Sequence, residues 1–148
     1  MRFHYPLQKI VDLKGSEKAM AEWEYAAALG KVKTEEETLA SLTGDLEQMA
    51  RALAEQTKRP TSLFEIQRMQ EYIGWLEGRI RQQREGVRKA KEAARLRQAK
   101  LADRMVDEKV WLNARDRAKT AFDLQTLAEE QNSLDEMAVM RAAASARR

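Results

Sequence analysis

QTKRPTS, running from Gln56 to Ser62, is the one strong break in the interior of this sequence. Pro60 disfavours helical geometry at Arg59 before it. Thr61 or Ser62 can cap a new helix, and Glu65 stands at capping-box distance from Ser62. On both sides of the break the residues are good helix formers, and apolar positions recur at steps of three and four. The expected fold is therefore all-α: a long antiparallel two-helix coiled-coil hairpin, a single domain over residues 1–148. Helix 1 is expected over about residues 5–56, the turn over 57–61 and helix 2 over about 62–140. Residues 141–148 are expected to fray.

Upstream of the break, the seam reads Tyr25, Ala28, Val32, Leu39, Leu42, Leu46, Met49 and Leu53. Phe3, Leu7, Ile10 and Leu13 suit a slightly rotated continuation, with a register shift between about Lys14 and Tyr25. Pro6 falls in the first turn, where a missing amide proton costs little. Downstream, the seam runs Ile66, Met69, Ile73, Leu76, Ile80, Gln83, Val87, Ala90 and Ala94. It continues less cleanly through Leu101, Trp111, Ala118 and Phe122. Sustained heptads of this length argue for a coiled coil, and a short break argues for antiparallel arms whose facing residue numbers sum to roughly 120.

Charge supports that pairing. Ser16–Gln56 holds nine acids and four bases, Arg79–Lys119 fourteen bases and six acids, and Asp123–Met140 five acids and no base. Opposite charge beside the seam favours the antiparallel arrangement. The basic block has two readings: a solvated face balanced across the hairpin, or a nucleic-acid surface. The arms are unequal, at about 80 Å and about 115–120 Å for a rise of ~1.5 Å per residue. The stretch beyond Arg115 therefore overhangs the amino terminus, with Leu124, Leu127, Leu134 and Met137 still forming an apolar stripe. Such a stripe frays or is covered by another protein.

Chemistry is sparse. There is no cysteine and a single histidine, His4, so a His/Cys metal site has no second ligand. The six glycines are scattered singly, without a phosphate-binding loop. Carboxylates should lie on solvated faces, and two helices should offer no cavity of the ~300 Å³ that ligand sites need. A non-enzyme without a cofactor is expected. No apolar run is long enough for a signal peptide or a membrane span.

Tyr72 and Trp75 stand off the seam. With Ile73 and Ile80 at heptad position a, Tyr72 falls at g and Trp75 at c, facing away from the other helix. Across the hairpin the pairing rule places Leu42, Asp45 and Met49 nearby. Gly44, Gly74 and Gly78 occupy outer positions of the same zone, each costing ~1 kcal/mol of helix propensity relative to Ala. Small residues beside exposed rings would let another backbone come close, which suggests a docking patch near the bend. The alternative is a scattered pair of surface aromatics.

Three segments together resemble the flagellar export protein FliJ family: FHYPLQKIVDLKGSEK (Phe3–Lys18), MQEYIGWLEGRI (Met69–Ile80) and LDEMAVMRAA (Leu134–Ala143). The resemblance spans the chain. It implies a cytoplasmic antiparallel coiled coil similar to the shaft of rotary ATPases, peripherally associated with the inner face of the cell membrane through the export apparatus. It implies a stalk that binds the hexameric flagellar export ATPase, promotes its assembly and activity, and couples it to the export-gate membrane protein. Export chaperones are further implied partners; nucleic acid and direct membrane insertion are not. Carried over by position, the gate-docking residues are Leu42, Asp45, Met49, Tyr72, Leu76, Arg79 and Gln83, with Trp75 added from the off-seam argument. Asp45 and Arg79 depart from the apolar or small residues expected there. The ATPase-ring contact would be formed by Phe3, Leu7 and Ile10 with Leu134, Met137 and Arg141. Two other functions fit the residues: a free cytosolic export chaperone or chaperone-escort coil using Met and Ala surfaces, and a nucleic-acid-binding coil using Arg79–Lys119.

Overall fold

The computed structural model describes residues 2–147. Two helices account for nearly all of them: α1, Gln8–Thr57, and α2, Leu63–Ala146. They pack against each other as an antiparallel hairpin. Facing partners have numbers summing to about 120, as in Glu17 with Arg104 and Glu35 with Gln83.

The break at Pro60 is built from local hydrogen bonds. Lys58 and Arg59 donate their amides to the carbonyls of Glu55 and Gln56, closing α1. Ser62 caps α2, its Oγ accepting from the Glu65 amide at 3.5 Å. The Glu65 carboxylate accepts from Thr61 Oγ1 at 3.2 Å and Gln56 Nε2 at 3.3 Å. Gln56 also donates to Thr61 Oγ1 at 2.8 Å, so one side chain ties the end of α1 to the start of α2.

The helix limits differ from expectation at both chain ends. α1 begins at Gln8, after Pro6, because the chain before it follows its aromatic packing: the Phe3 ring lies 6.3 Å from Tyr5 and 5.5 Å from Phe122. α2 runs on to Ala146, since Ala142, Ala143, Ala144 and Ala146 are the strongest helix formers and no breaker intervenes.

Contacts group the chain, expected to be a single domain, into two compact units, because each residue meets only its neighbours along a two-helix seam. The unit Ala19–Ala102 holds the bend. Leu76, Ile80, Val87, Ala90 and Ala94 of α2 are buried in it, and Ala21 of α1 with them. Ile66, Met69, Ile73 and Leu101 are half-buried, as are Tyr25 to Leu53 at the expected α1 positions. The other unit joins the residues up to Lys18 to those from Asp103 onward. Its buried residue is Val11, flanked by half-buried Phe3, Ile10, Trp111, Ala118 and Phe122.

The rotated early seam is corrected here. Leu7 and Leu13 are exposed, and Val11 takes the buried position. From Lys14 to Lys18 the contact between helices is ionic: Lys14 meets Asp107 at 2.9 Å, Lys18 meets Glu108 at 2.8 Å and Arg104 meets Glu17 at 3.2 Å. A Cβ on Gly15 would stand 3.2 Å from Glu108 Oε2, so glycine leaves room for that carboxylate.

Candidate functional site

Near the bend, the off-seam reading of Tyr72 and Trp75 can be examined directly. Both rings are exposed, at 41% and 56%, and they stack with centroids 5.8 Å apart and planes 19° from parallel. Tyr72 leans toward α1. With Met49, Met69, Gln56, Glu65 and Arg68 it lines an open groove of about 480 Å³. With Asp45, Gln48, Met49 and Ala52 it lines a smaller one of about 300 Å³. The structure thus brings Asp45, Met49 and Tyr72 together, and Trp75 joins them through its stack.

Other residues of the expected docking set serve the hairpin. Leu76 is 1% exposed, because the seam position that makes it apolar also turns it inward. It supports the patch from beneath and offers a partner no surface. Gln83 is half-buried, and its amide donates to the Glu35 backbone carbonyl at 2.9 Å and to the Glu35 carboxylate. A polar seam residue requires such a partner. Glu35 also pairs with Lys31 at 3.1 Å. The Lys31 ammonium first, then the Gln83 amide, holds its carboxyl below the ordinary glutamate range. Leu42 is half-buried on the α1 seam, and Arg79 is exposed.

The glycines divide into two kinds. A Cβ on Gly86 would meet Glu35 Oε2 at 3.2 Å, so Gly86 accommodates the Glu35–Gln83 contact. A Cβ on Gly44 or Gly74 would meet nothing within 4 Å, and one on Gly78 would make an ordinary 3.7 Å contact with Arg81. Nothing within the described residues demands glycine at those three outer positions.

Exposed side chains that sequence reasoning passed over include Leu63, Phe64, Met20 and Trp23. Leu63 and Phe64, at 69% and 65%, open α2, and the Arg68 guanidinium lies over the Phe64 ring, 5.8 Å from its centroid. Phe64 is off the seam, as Tyr72 is, and the same helical-wheel argument could have found it. Met20 and Trp23 stand exposed on the outer face of α1.

In the other unit, Phe3 and Phe122 set the end of the pairing. Phe3 and Ile10 are half-buried and Leu7 is exposed. Leu134, Met137 and Arg141 lie twelve or more residues beyond Phe122, roughly 18 Å or more along the helix, and all are exposed. The structure therefore brings Phe3 against Phe122 and leaves the tail residues without cover. Leu124, Leu127, Val139 and Met140 are exposed as well.

The spaces along the helices are open grooves rather than enclosed cavities. Besides the two grooves at Tyr72, an open depression of about 560 Å³ lies along the tail beside Thr126, Glu129 and Leu134. All are open to solvent on the flanks of helices. Among the described residues no group of three His, Asp or Glu side chains is placed to hold a metal ion, and no helix is long and apolar enough to cross a membrane.

Comparison with known proteins bears on the whole chain. The family model of the flagellar FliJ protein matches residues 3–147. Among curated proteins none matches the sequence. A solved structure described as a YscO homolog, from Chlamydia trachomatis, superposes with a TM-score of 0.51 at 23% identity, covering 99% of each chain. At that identity the likeness speaks to the fold, and it is the same helical fold.

Proposed function

The chain belongs to the FliJ family of flagellar proteins and is thus a component of type III flagellar export, and on that premise we propose that it is a non-enzymatic stalk. It binds the hexameric export ATPase through the end carrying Phe3, Leu7 and Ile10 and through the tail at Leu134, Met137 and Arg141. It promotes assembly and turnover of the ring. Through the patch at Tyr72 and Trp75, with Leu42, Met49 and Arg79 beside it, it engages the export-gate membrane protein. Binding at one end then biases the other through free-energy coupling.

The observation that carries this reading is the bare stripe of α2 beyond Phe122. Leu124, Leu127, Leu134 and Met137, which form that stripe, are all exposed on a helix with no α1 residue left to pair with. An unpaired amphipathic end frays or is covered, and the opening of an ATPase ring would provide that cover. Mixing the chain with the export ATPase is expected to raise hexamer formation and ATP turnover. Deleting Leu134–Arg148 is expected to reduce both. Unchanged turnover on addition of the intact chain, at saturating ratios, refutes the stalk.

A further inference from the structure

Five exposed side chains of α2 share one face beside the seam: Phe64, Arg68, Tyr72, Trp75 and Arg79, all within the unit Ala19–Ala102. Their spacing of four, four, three and four residues keeps them in line along the helix. Arg68 lies over Phe64, and Tyr72 stacks on Trp75, each at 5.8 Å. Neither arginine has an ion pair among the described residues, and Arg79 donates to Gln82 Oε1 at 3.4 Å. No acid stands at any of the five positions. Tryptophan, tyrosine and arginine are the residue types in which binding energy concentrates at protein interfaces. A guanidinium held against a ring is ordered before a carboxylate arrives.

We infer that this stripe, with Phe64 and Arg68 as added specificity residues, binds an acidic, partly apolar protein surface. The inference rests on the gate-docking reading and states what the gate side must present. Arg68 and Arg79 are eleven residues apart, or about 16 Å along the helix. Carboxylates at that separation would meet both, with apolar area between them for the rings. A nucleic acid fits less well. The α1 stretch facing the stripe, residues 41–56, carries three acids, Asp45, Glu47 and Glu55, against one base, Arg51, and Asp45 and Glu65 line the grooves at Tyr72. A continuous phosphate backbone would be repelled along that flank, whereas discrete carboxylates need not touch it.

The test titrates the full chain against the export-gate protein, purified in detergent, at two salt concentrations, with circular dichroism as the control for helicity. Phe64→Ala and Arg68→Glu should each weaken binding about tenfold or more. Wild-type affinity should fall as salt rises. Normal binding by both variants, while a Tyr72→Ala, Trp75→Ala double variant loses it, overturns the inference and leaves gate docking standing. No binding by the unaltered chain overturns both. Tighter binding to a labelled single-stranded oligonucleotide than to the gate protein, lost in Arg68→Glu, also overturns it and assigns the stripe to nucleic acid.

Discussion

Replacing Leu76 and its neighbour Trp75 by alanine, one at a time, separates the seam from the surface within a single turn of helix. Leu76 is the largest fully buried side chain, 1% exposed. Its burial is worth about 1.5–3 kcal/mol, and truncation to Ala costs about 2–5 kcal/mol once the cavity is counted. Only two helices surround the site, so neighbouring side chains can close part of the gap, and about 2–3 kcal/mol is expected. Domains are stable by only about 5–15 kcal/mol. At about 3 °C per kcal/mol for a chain of this size, the melting midpoint should fall by about 6–9 °C. Trp75 is 56% exposed. Its loss removes a stack worth about 0.5–1.5 kcal/mol, offset by about 0.5 kcal/mol from the better helix propensity of Ala. The midpoint should move by less than about 3 °C. Thermal melts followed by circular dichroism at 222 nm read both. Equal destabilisation by the two variants, or a Leu76→Ala cost under about 1 kcal/mol, refutes the placement of the seam and with it the outward stripe.

Gly74→Ala should stabilise the hairpin by about 0.5–1 kcal/mol, because the added Cβ enters open space. Gly86→Ala should gain less or lose stability, since its Cβ displaces the Glu35 carboxylate; urea melts of the pair test the contrast. Deleting Leu134–Arg148 should leave the melting midpoint of the remainder within about 2 °C, for the residues from Leu134 to Arg147 are exposed and the side-chain hydrogen bond lost, Gln131 Nε2 to Asp135 Oδ1 at 3.2 Å, is an exposed one within α2. Acid titration followed by circular dichroism should show stability lost on the acidic side. Glu35, Glu85 and Glu92 are held below the ordinary glutamate value of about 4.5, by Lys31, Arg88 and Arg95 respectively. Their contribution is present above that value and fades as pH falls through the lowered ones. Lys14 is held above its ordinary value of about 10.5 by Asp107. Its contribution is full below 10.5 and fades as pH rises past the raised value. Glu35→Gln should flatten part of the acid limb.

The fold was legible where the seam is apolar. Ile66, Ile73, Leu76, Ile80 and Val87 announce themselves by heptad spacing, and each lies buried or half-buried. Legibility failed at Lys14–Lys18, because contacts there are ion pairs and a pattern of apolar residues says nothing about them. Val11 was hidden by its neighbour Ile10, which differs from it by one position and not at all in chemistry. At the candidate site, Tyr72 and Trp75 were legible because a ring at an outer heptad position has no internal purpose. Leu76 was not: one residue cannot both fill the seam and face a partner, and burial wins. Gln83 looked like a docking residue until the register placed Glu35 opposite it. That pairing depends on residues 48 positions apart, beyond the reach of local pattern.

The charges decide register more than stability. Around Asp107 and Glu108 the bases Lys14 and Lys18 belong to α1. Around Glu24 and Glu36 the polarity is reversed, and the bases Arg97, Lys100 and Lys91 belong to α2. Each exposed pair is worth only about 0.2–1 kcal/mol. A slip of one heptad would keep an apolar stripe against an apolar stripe, so the seam alone discriminates weakly. The same slip would set Lys14 opposite Lys100 and Lys18 opposite Leu101, turning attraction into repulsion at the first site and removing it at the second. The pairs at Lys14 and Lys18 thus favour the observed alignment over that slip, at little cost in net stability. That alignment fixes which α1 residues stand beside Tyr72 and where the pairing ends at Phe122. The composition of the groove and the length of bare tail, the two features a partner would read, both follow from it.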